Sequence, residues 1–269
     1  MSLRRHITRR RLLAAGGAAC GLAALDAFVV EPHWLDVSRL PHPIEGLPRS
    51  LDGFRIAQIT DAHLTGLGTV EQSILDAVRR TSPQVIALTG DIIDSLDDGA
   101  VLSELCAELA RTGATVIATL GNWEHWGHVD REALQRRYRA SNTALAVDTW
   151  LDVEGLTIYA SDDSTGGTPR AVRATPAHAE ATVLLTHSPA FVDTAGSTFD
   201  LCLAGHTHGG QVTVGGLAPF TPPGSGRYVA GWYDSPAGPL YVSRGTGTSI
   251  VPARFTCRPE LPLFELVRA

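Results

Sequence analysis

Residues 54–63 read FRIAQITDAH, and the change of character inside this stretch decides the fold. Residues 54–60 form an apolar run of strand length, which then turns at once into Asp61-Ala62-His63, two metal-capable side chains one residue apart. The same grammar recurs down the chain. VIALT at 85–89 runs into Gly90-Asp91-Ile92-Ile93-Asp94, TVIATL at 115–120 into Gly121-Asn122, TVLLT at 182–186 into His187, and LCLA at 201–204 into Gly205-His206-Thr207-His208. Three more strand-length runs lie at 156–161, 240–243 and 263–267, and helical patterns fill 70–82, 101–113 and 131–141. Strand and helix alternate in the first half, and strand dominates the second. The expectation is an α/β (α+β) chain with mixed or antiparallel sheet behind, two sheets packed together with helices outside.

Open α/β sheets place ligands just beyond the carboxyl ends of their strands. Here five strand ends offer two carboxylates (Asp61, Asp91), one amide (Asn122) and four imidazoles (His63, His187, His206, His208). His206 and His208 alternate on an extended segment, which aims both rings to one side. A mixed nitrogen and oxygen set of this kind suits two divalent cations, Mn, Fe or Zn, with one carboxylate bridging.

The order D-x-H, G-D-x-x-D, G-N-x-E, a lone His and G-H-x-H resembles the calcineurin-like metallophosphoesterase superfamily over residues 54–212. The GHTHGGQ form of the last motif and the YVSRGTGT stretch extend the likeness to its small, exported bacterial branch. The resemblance implies a four-layer β-sandwich flanked by helices. It also implies one metal on Asp61, His63 and His208, a second on Asn122, His187 and His206, Asp91 bridging, and Asp94 orienting a ligand. Asp91 and Asn122 would then be catalytic as well as ligating, and the reaction would be attack of a metal-bridging hydroxide on a phosphoester.

The chain departs from the family at one position. Where the pattern has the His of G-N-H-[DE], this sequence has Trp123, followed by the matching Glu124. Indole neither transfers a proton at neutral pH nor binds a metal. Protonation of the leaving group then falls to His125, two residues on, or to water. Trp123 and Trp126 are expected to wall the site and bind substrate, together with Arg227 and the aromatics Tyr228, Trp232 or Tyr233 of the Gly/Pro-rich stretch 215–239. The expected substrate is a phosphodiester or a diphosphate, lipid- or nucleotide-linked. A phosphomonoesterase and a metal-loaded but catalytically weak binding protein stay open as alternatives.

The amino terminus carries its own information. Arg4, Arg5 and Arg9–Arg11 precede LLAAGGAACGLAAL, a stretch that fits a signal segment and is short for a membrane span. Thr8-Arg9-Arg10-Arg11-Leu12-Leu13 resembles a twin-arginine export signal. The domains expected are a leader at 1–30, an extended Pro-punctuated segment at 31–53, and the hydrolase domain at 54–269. The expected location is periplasmic, extracellular or on the outer face of the cytoplasmic membrane, with the export machinery as a partner and contact with the membrane surface. With five of the 22 basic residues and one of the 28 acids in the first 27 positions, the remainder carries a net −10, which argues against a nucleic acid duplex as partner. Cys106, Cys202 and Cys257 lack C-x-x-C spacing and are expected to be buried hydrophobes, and His33, His42 and His178 to be solvated.

Overall fold

The computed structural model describes residues 8–269, so Arg4 and Arg5 of the leader lie outside the described residues. Helix α1 (Arg9–Leu25) opens the chain and continues through a π-helical turn at Asp26–Val30 and a 3-10 turn at Glu31–His33. Leu13–His33 together make a 21-residue helical stretch apolar enough to cross a membrane, by length and composition. The sequence reading stopped the apolar run at Asp26. The backbone stays helical through that residue, and Phe28-Val29-Val30 resume the apolar surface, so the stretch is not short for a span.

Twelve strands form two six-stranded sheets among the described residues. The first sheet holds β1 (Asp36–Ile44), β12 (Glu260–Arg268), β2 (Arg55–Ile59), β3 (Val85–Thr89), β4 (Thr115–Thr119) and β5 (Thr143–Leu145), in that order. Strands β2 to β5 run parallel, as the strand and helix alternation demands. The second sheet runs β10 (Gly231–Ser235), β11 (Gly238–Val242), β9 (Leu201–Ala204), β8 (Thr182–Leu185), β7 (Leu156–Ala160), β6 (Thr149–Val153), with antiparallel pairs only at its two edges.

Strand alternation sorts the core into layers. Val85 and Ala87 of β3 face the second sheet with Ile117, Val183, Leu203 and Phe264. Ile86 and Leu88 face outward onto α2 (Thr69–Thr81), α3 (Gly99–Ala110) and α5 (Arg131–Ala140) through Ile74, Val78, Leu102, Leu109 and Tyr138. Every residue of β3 is therefore buried, which is why Val85–Leu88 form an unbroken apolar run rather than alternating. The outer face of the second sheet, with Leu184, Cys202 and Leu240, is covered by Phe191 and Val192 of a 3-10 helix at Pro189–Asp193 and by Tyr228, which completes the fourth layer.

The segment 31–53 is not only a lead-in, because β1 pairs in parallel with β12 at a sheet edge. Pro41 and Pro43, two residues apart, leave the same side of that strand without donors, which an edge strand tolerates. His42 is buried rather than solvated: its ring stacks on Trp232 at 5.2 Å, and its Nε2 donates to the Asp200 carbonyl at 2.8 Å. Cys106, Cys202 and Cys257 are free and buried.

Candidate metal centre

The carboxyl ends of β2, β3 and β4 and those of β8 and β9 open at the same end of the sandwich, and the seven expected ligands meet there. Asp61, His63 and His208 bring ligand atoms within 4.8 Å of one another, and so do Asp91, His187 and His206. Asn122, the first residue of the short helix α4 (Asn122–Trp126), puts its Oδ1 at 3.0 Å from His187 Nε2 and 2.8 Å from His206 Nδ1. The turns that do this are unusual. Asp61, His63, Asp91, His206 and His208 have φ of 53°, 44°, 52°, 74° and 49°, a left-handed region that non-glycine residues seldom occupy and that clusters at functional sites. Two glycines make room. A Cβ on Gly121 would strike the Asp91 carboxylate, and one on Gly205 would strike that of Asp61.

The proton positions of the histidines show what the centre is built to hold. His63 Nδ1 donates to Asp94 Oδ1 at 2.6 Å, His187 Nδ1 to the Thr89 carbonyl at 2.9 Å, and His206 Nε2 to the Pro223 carbonyl at 2.6 Å. Each outer acceptor fixes the ring proton on the far nitrogen and leaves the inner nitrogen a bare lone pair. Those inner lone pairs face one another and other acceptors: His187 Nε2 lies 3.0 Å from Asp91 Oδ2 and 3.2 Å from His206 Nδ1. Lone pairs converging on lone pairs need a positive charge between them, so the residues present fit a pair of cations. A proton can stand in for a cation here: burial opposes a charged His187, yet Asp91 and Asp61 beside it hold its pKa well above 6.5, which would place a proton on Nε2 toward Asp91. Burial, helped by neighbouring positive charge, drives His208 well below that value.

Glu124 ties two ligand turns together from beneath. Its carboxylate is buried and accepts the amides of Asp91 and Gly121, both at 2.9 Å, of Ile92 at 2.8 Å and of Ile93 at 3.4 Å. Burial, and then the Asp91 charge, push its pKa up to about 7. All four contacts are donors, however, and hydrogen bonds of that kind favour the ionised form.

Trp123 stands at the centre itself. Its backbone amide donates to Asp91 Oδ1 at 2.8 Å, while its ring meets His63 edge-on at 5.7 Å and Trp126 at 5.9 Å. Both tryptophans line an open cavity of about 610 Å³ that also exposes Asp91, Asn122, His206 and His208. The rest of its wall comes from Gln211-Val212, Pro219–Pro222 and Ser249–Val251.

Five expected participants are not brought there. His125 turns away from the cavity, with its Nε2 at 2.7 Å from Asp162 Oδ1; that hydrogen bond raises its pKa against the opposing effect of burial. Arg227 donates to the Asp234 carbonyl at 2.6 Å and lies over the Tyr228 ring, outside the cavity wall. Tyr228 is wholly buried with its hydroxyl donating to Asp193, Trp232 packs on His42, Tyr241 and Phe264, and the Tyr233 hydroxyl accepts the Val229 amide. The long stretch 215–239 therefore contributes Pro219–Pro222 to the site and spends its other aromatics on the second sheet. Asp162, which holds His125, was missed. Its signal was present, since Asp162-Asp163 follow β7 as Asp61 follows β2.

The sequence model for the calcineurin-like phosphoesterase family matches residues 54–210, which contain every residue of both clusters. The chain belongs to that family. Its members are dinuclear, metal-dependent phosphoric ester hydrolases, and the two donor clusters match that chemistry. The uncharacterised metallophosphoesterase YkuE of Bacillus subtilis is 30% identical over 94% of this chain and 93% of its own length. The phosphodiesterase YaeI of Escherichia coli is 27% identical over 97% of this chain and 100% of its own. Among solved structures, a dimetal phosphatase of Danio rerio superposes with a TM-score of 0.43 at 12% identity, covering 72% of this chain and 88% of that one.

Proposed function

We propose that this phosphoesterase cleaves phosphodiesters outside the cytoplasm. The observation that carries the choice of diester is the character of the cavity. None of the described residues lining it is an arginine, and the chain has no lysine. A monoester dianion calls for cationic side chains beside the metals, whereas a diester brings one negative charge and a second substituent that the apolar walls of Trp123, Trp126 and Phe220 accommodate. The phosphodiesterase activity in the printed name of YaeI supports the same reading.

Two cations at these clusters, Mn, Fe or Zn by donor type, would supply an activated water and charge neutralisation at the transferring phosphoryl group. Asp61, His63 and His208 would hold one and Asn122, His187 and His206 the other, with Asp91 shared. Asp94 keeps His63 in the ligating tautomer, and Glu124 fixes the Asp91 turn. Trp123 positions Asp91 through its amide and offers an apolar face instead of a proton. With His125 held by Asp162, no side chain described here stands ready to protonate the leaving oxygen, so the enzyme favours leaving groups that depart unaided, activated esters and phosphoanhydrides among them.

The motif at Thr8–Leu13 and the apolar stretch Leu13–His33 support export by the twin-arginine route, with the domain from residue 54 onward on the outer face of the cytoplasmic membrane. The test is hydrolysis of a diester, a monoester and a nucleoside diphosphate conjugate by metal-analysed protein. Diester turnover about tenfold or more above monoester is expected. Monoester preference would replace this reading with the phosphomonoesterase, and metal loading without turnover would replace it with a binding protein.

A further inference from the structure

Beyond the amino-terminal helix and Trp34, most of the exposed large apolar side chains among the described residues sit at the mouth of the metal cavity, and the most exposed are on two loop tips. Val214 and Leu217 close a tight Gly-Gly hairpin and are 66% and 76% exposed; Phe220 follows at 83%, and Ile250 tops the neighbouring loop at 91%. Ile250 has a φ of 63°, a conformation that β-branched residues rarely take, so its outward display is held at a cost in backbone strain. Phe220, Ile250 and Val251 line the same cavity as Asp91 and His206.

These tips are continuous with the end of the amino-terminal helix. The Ala27 carbonyl accepts the Arg254 amide at 2.8 Å, and the buried Glu31 carboxylate accepts the amides of Thr256, at 2.7 Å, and Cys257. The Phe255 amide donates to Gln211 and the Thr213 amide to Phe255, while the Gln211 side chain bonds the Ser249 and Val251 carbonyls. Phe28 and Pro32 share a hollow with Thr248 and Pro252. One hydrogen-bonded layer thus joins the foot of the helix to the rim of the site.

We propose that the rim formed by Val214, Leu217, Phe220, Ile250 and Val251 seats in the surface of a lipid bilayer, so that the metal cavity opens at the lipid interface and receives lipid-borne phosphodiesters whose leaving group departs unaided. The choice of substrate rests on the phosphodiesterase reading above; the seating does not. Three observations select a bilayer as the occupant. Leu13–Leu25 is exposed along its length, and the helical stretch Leu13–His33, at about 1.5 Å per residue, is long enough for a hydrocarbon core of about 30 Å. Its foot is bonded to the layer that carries the rim, which places the rim at the plane where the helix leaves the membrane. Five side chains on two narrow tips also fall short of the roughly 20–30 residues a side that a stable protein interface uses. With the body at net −10, the contact rests on apolar insertion and not on attraction to anionic lipid.

The full-length chain, Cys20→Ser to leave only buried native thiols, is labelled at single cysteines in Leu217→Cys, Ile250→Cys and His178→Cys variants. Each is reconstituted in phosphatidylcholine vesicles containing shallow spin-labelled lipid. Quenching at 217 and 250 is expected to exceed that at 178, on the other side of the sandwich, by about threefold or more. In Val214→Ser/Leu217→Ser, turnover of a vesicle-borne diester should fall about tenfold relative to a soluble one, because neither residue lines the cavity. Equal quenching at all three positions would overturn the proposal, as would quenching at 217 that depends on protein concentration and not on spin-labelled lipid, the mark of a second copy on the patch. Quenching needs no turnover: a chain quenched at its rim but inactive on every phosphoester would sink the hydrolase reading alone, and soluble diester turnover without quenching would sink the seating alone.

Discussion

Replacing Glu124 by glutamine changes one oxygen for an amide nitrogen at the point where the Asp91 turn meets the start of α4. Oε2 accepts two amides at 2.9 Å, those of Asp91 and Gly121, and Oε1 accepts Ile92 at 2.8 Å and Ile93 at 3.4 Å. Whichever way the new amide turns, its NH2 faces a pair of N–H groups. A buried donor left without an acceptor costs about 1–3 kcal/mol. One strong and one weaker donor lost on the Oε1 side, or two strong donors on the Oε2 side, give roughly 2–5 kcal/mol. At this chain length each kcal/mol moves Tm by about 2–4 °C, so a fall of roughly 4–20 °C is expected. The loosened element is the left-handed Asp91 turn, so metal occupancy should fall as well. Thermal unfolding followed by circular dichroism, with metal content measured on the same samples, checks both. A Glu124→Gln protein melting within about 1 °C of wild type with both metals retained would refute the view that Glu124 is an all-acceptor strut.

Three other outcomes are expected. Asp91→Asn, or chelation of the wild-type protein, should abolish hydrolysis and release most bound metal; full turnover after metal removal speaks against the shared-carboxylate assignment. Restoring a proton donor by Trp123→His should flatten a steep dependence of rate on leaving-group acidity, whereas His125→Ala should leave that dependence unchanged, because His125 faces Asp162. For the His125–Asp162 pair, the raised His125 pKa contributes stability that is present below its ordinary 6.5 and lost as pH rises through the folded value. The depressed Asp162 pKa, where burial is the largest single effect but is outweighed by His125 together with the Thr168 and Asp163 amides, contributes above 3.8 and is lost as pH falls through its folded value. His125→Ala should therefore lower Tm more at pH 6 than at pH 9, and an equal loss at both would deny the pair.

The sequence by itself determined the strands whose ends carry the clustered donor side chains and the identity of those side chains. A strand buried on both faces must be a short, unbroken apolar run, and a polar residue directly after such a run has only the sheet end to occupy, so β2, β3, β4, β8 and β9 and the residues that follow them were legible locally. The rules that failed were those needing a partner from far along the chain. Nothing near Pro41 and Pro43 says that β12, over two hundred residues away, supplies an edge that tolerates them. Trp232 was read as a wall of the site from its place in a flexible-looking stretch, but β10 carries it to His42 and Phe264 instead. His125 and Trp123 are two residues apart on α4, and only the position of Asp162 in the loop after β7 decided that the imidazole turns away while the indole faces the cavity. Periodicity and turn chemistry act over a few residues and can be read from a line of text; the direction in which a loop side chain points is set by whichever long-range partner satisfies it, and that exists only once the two sheets have packed.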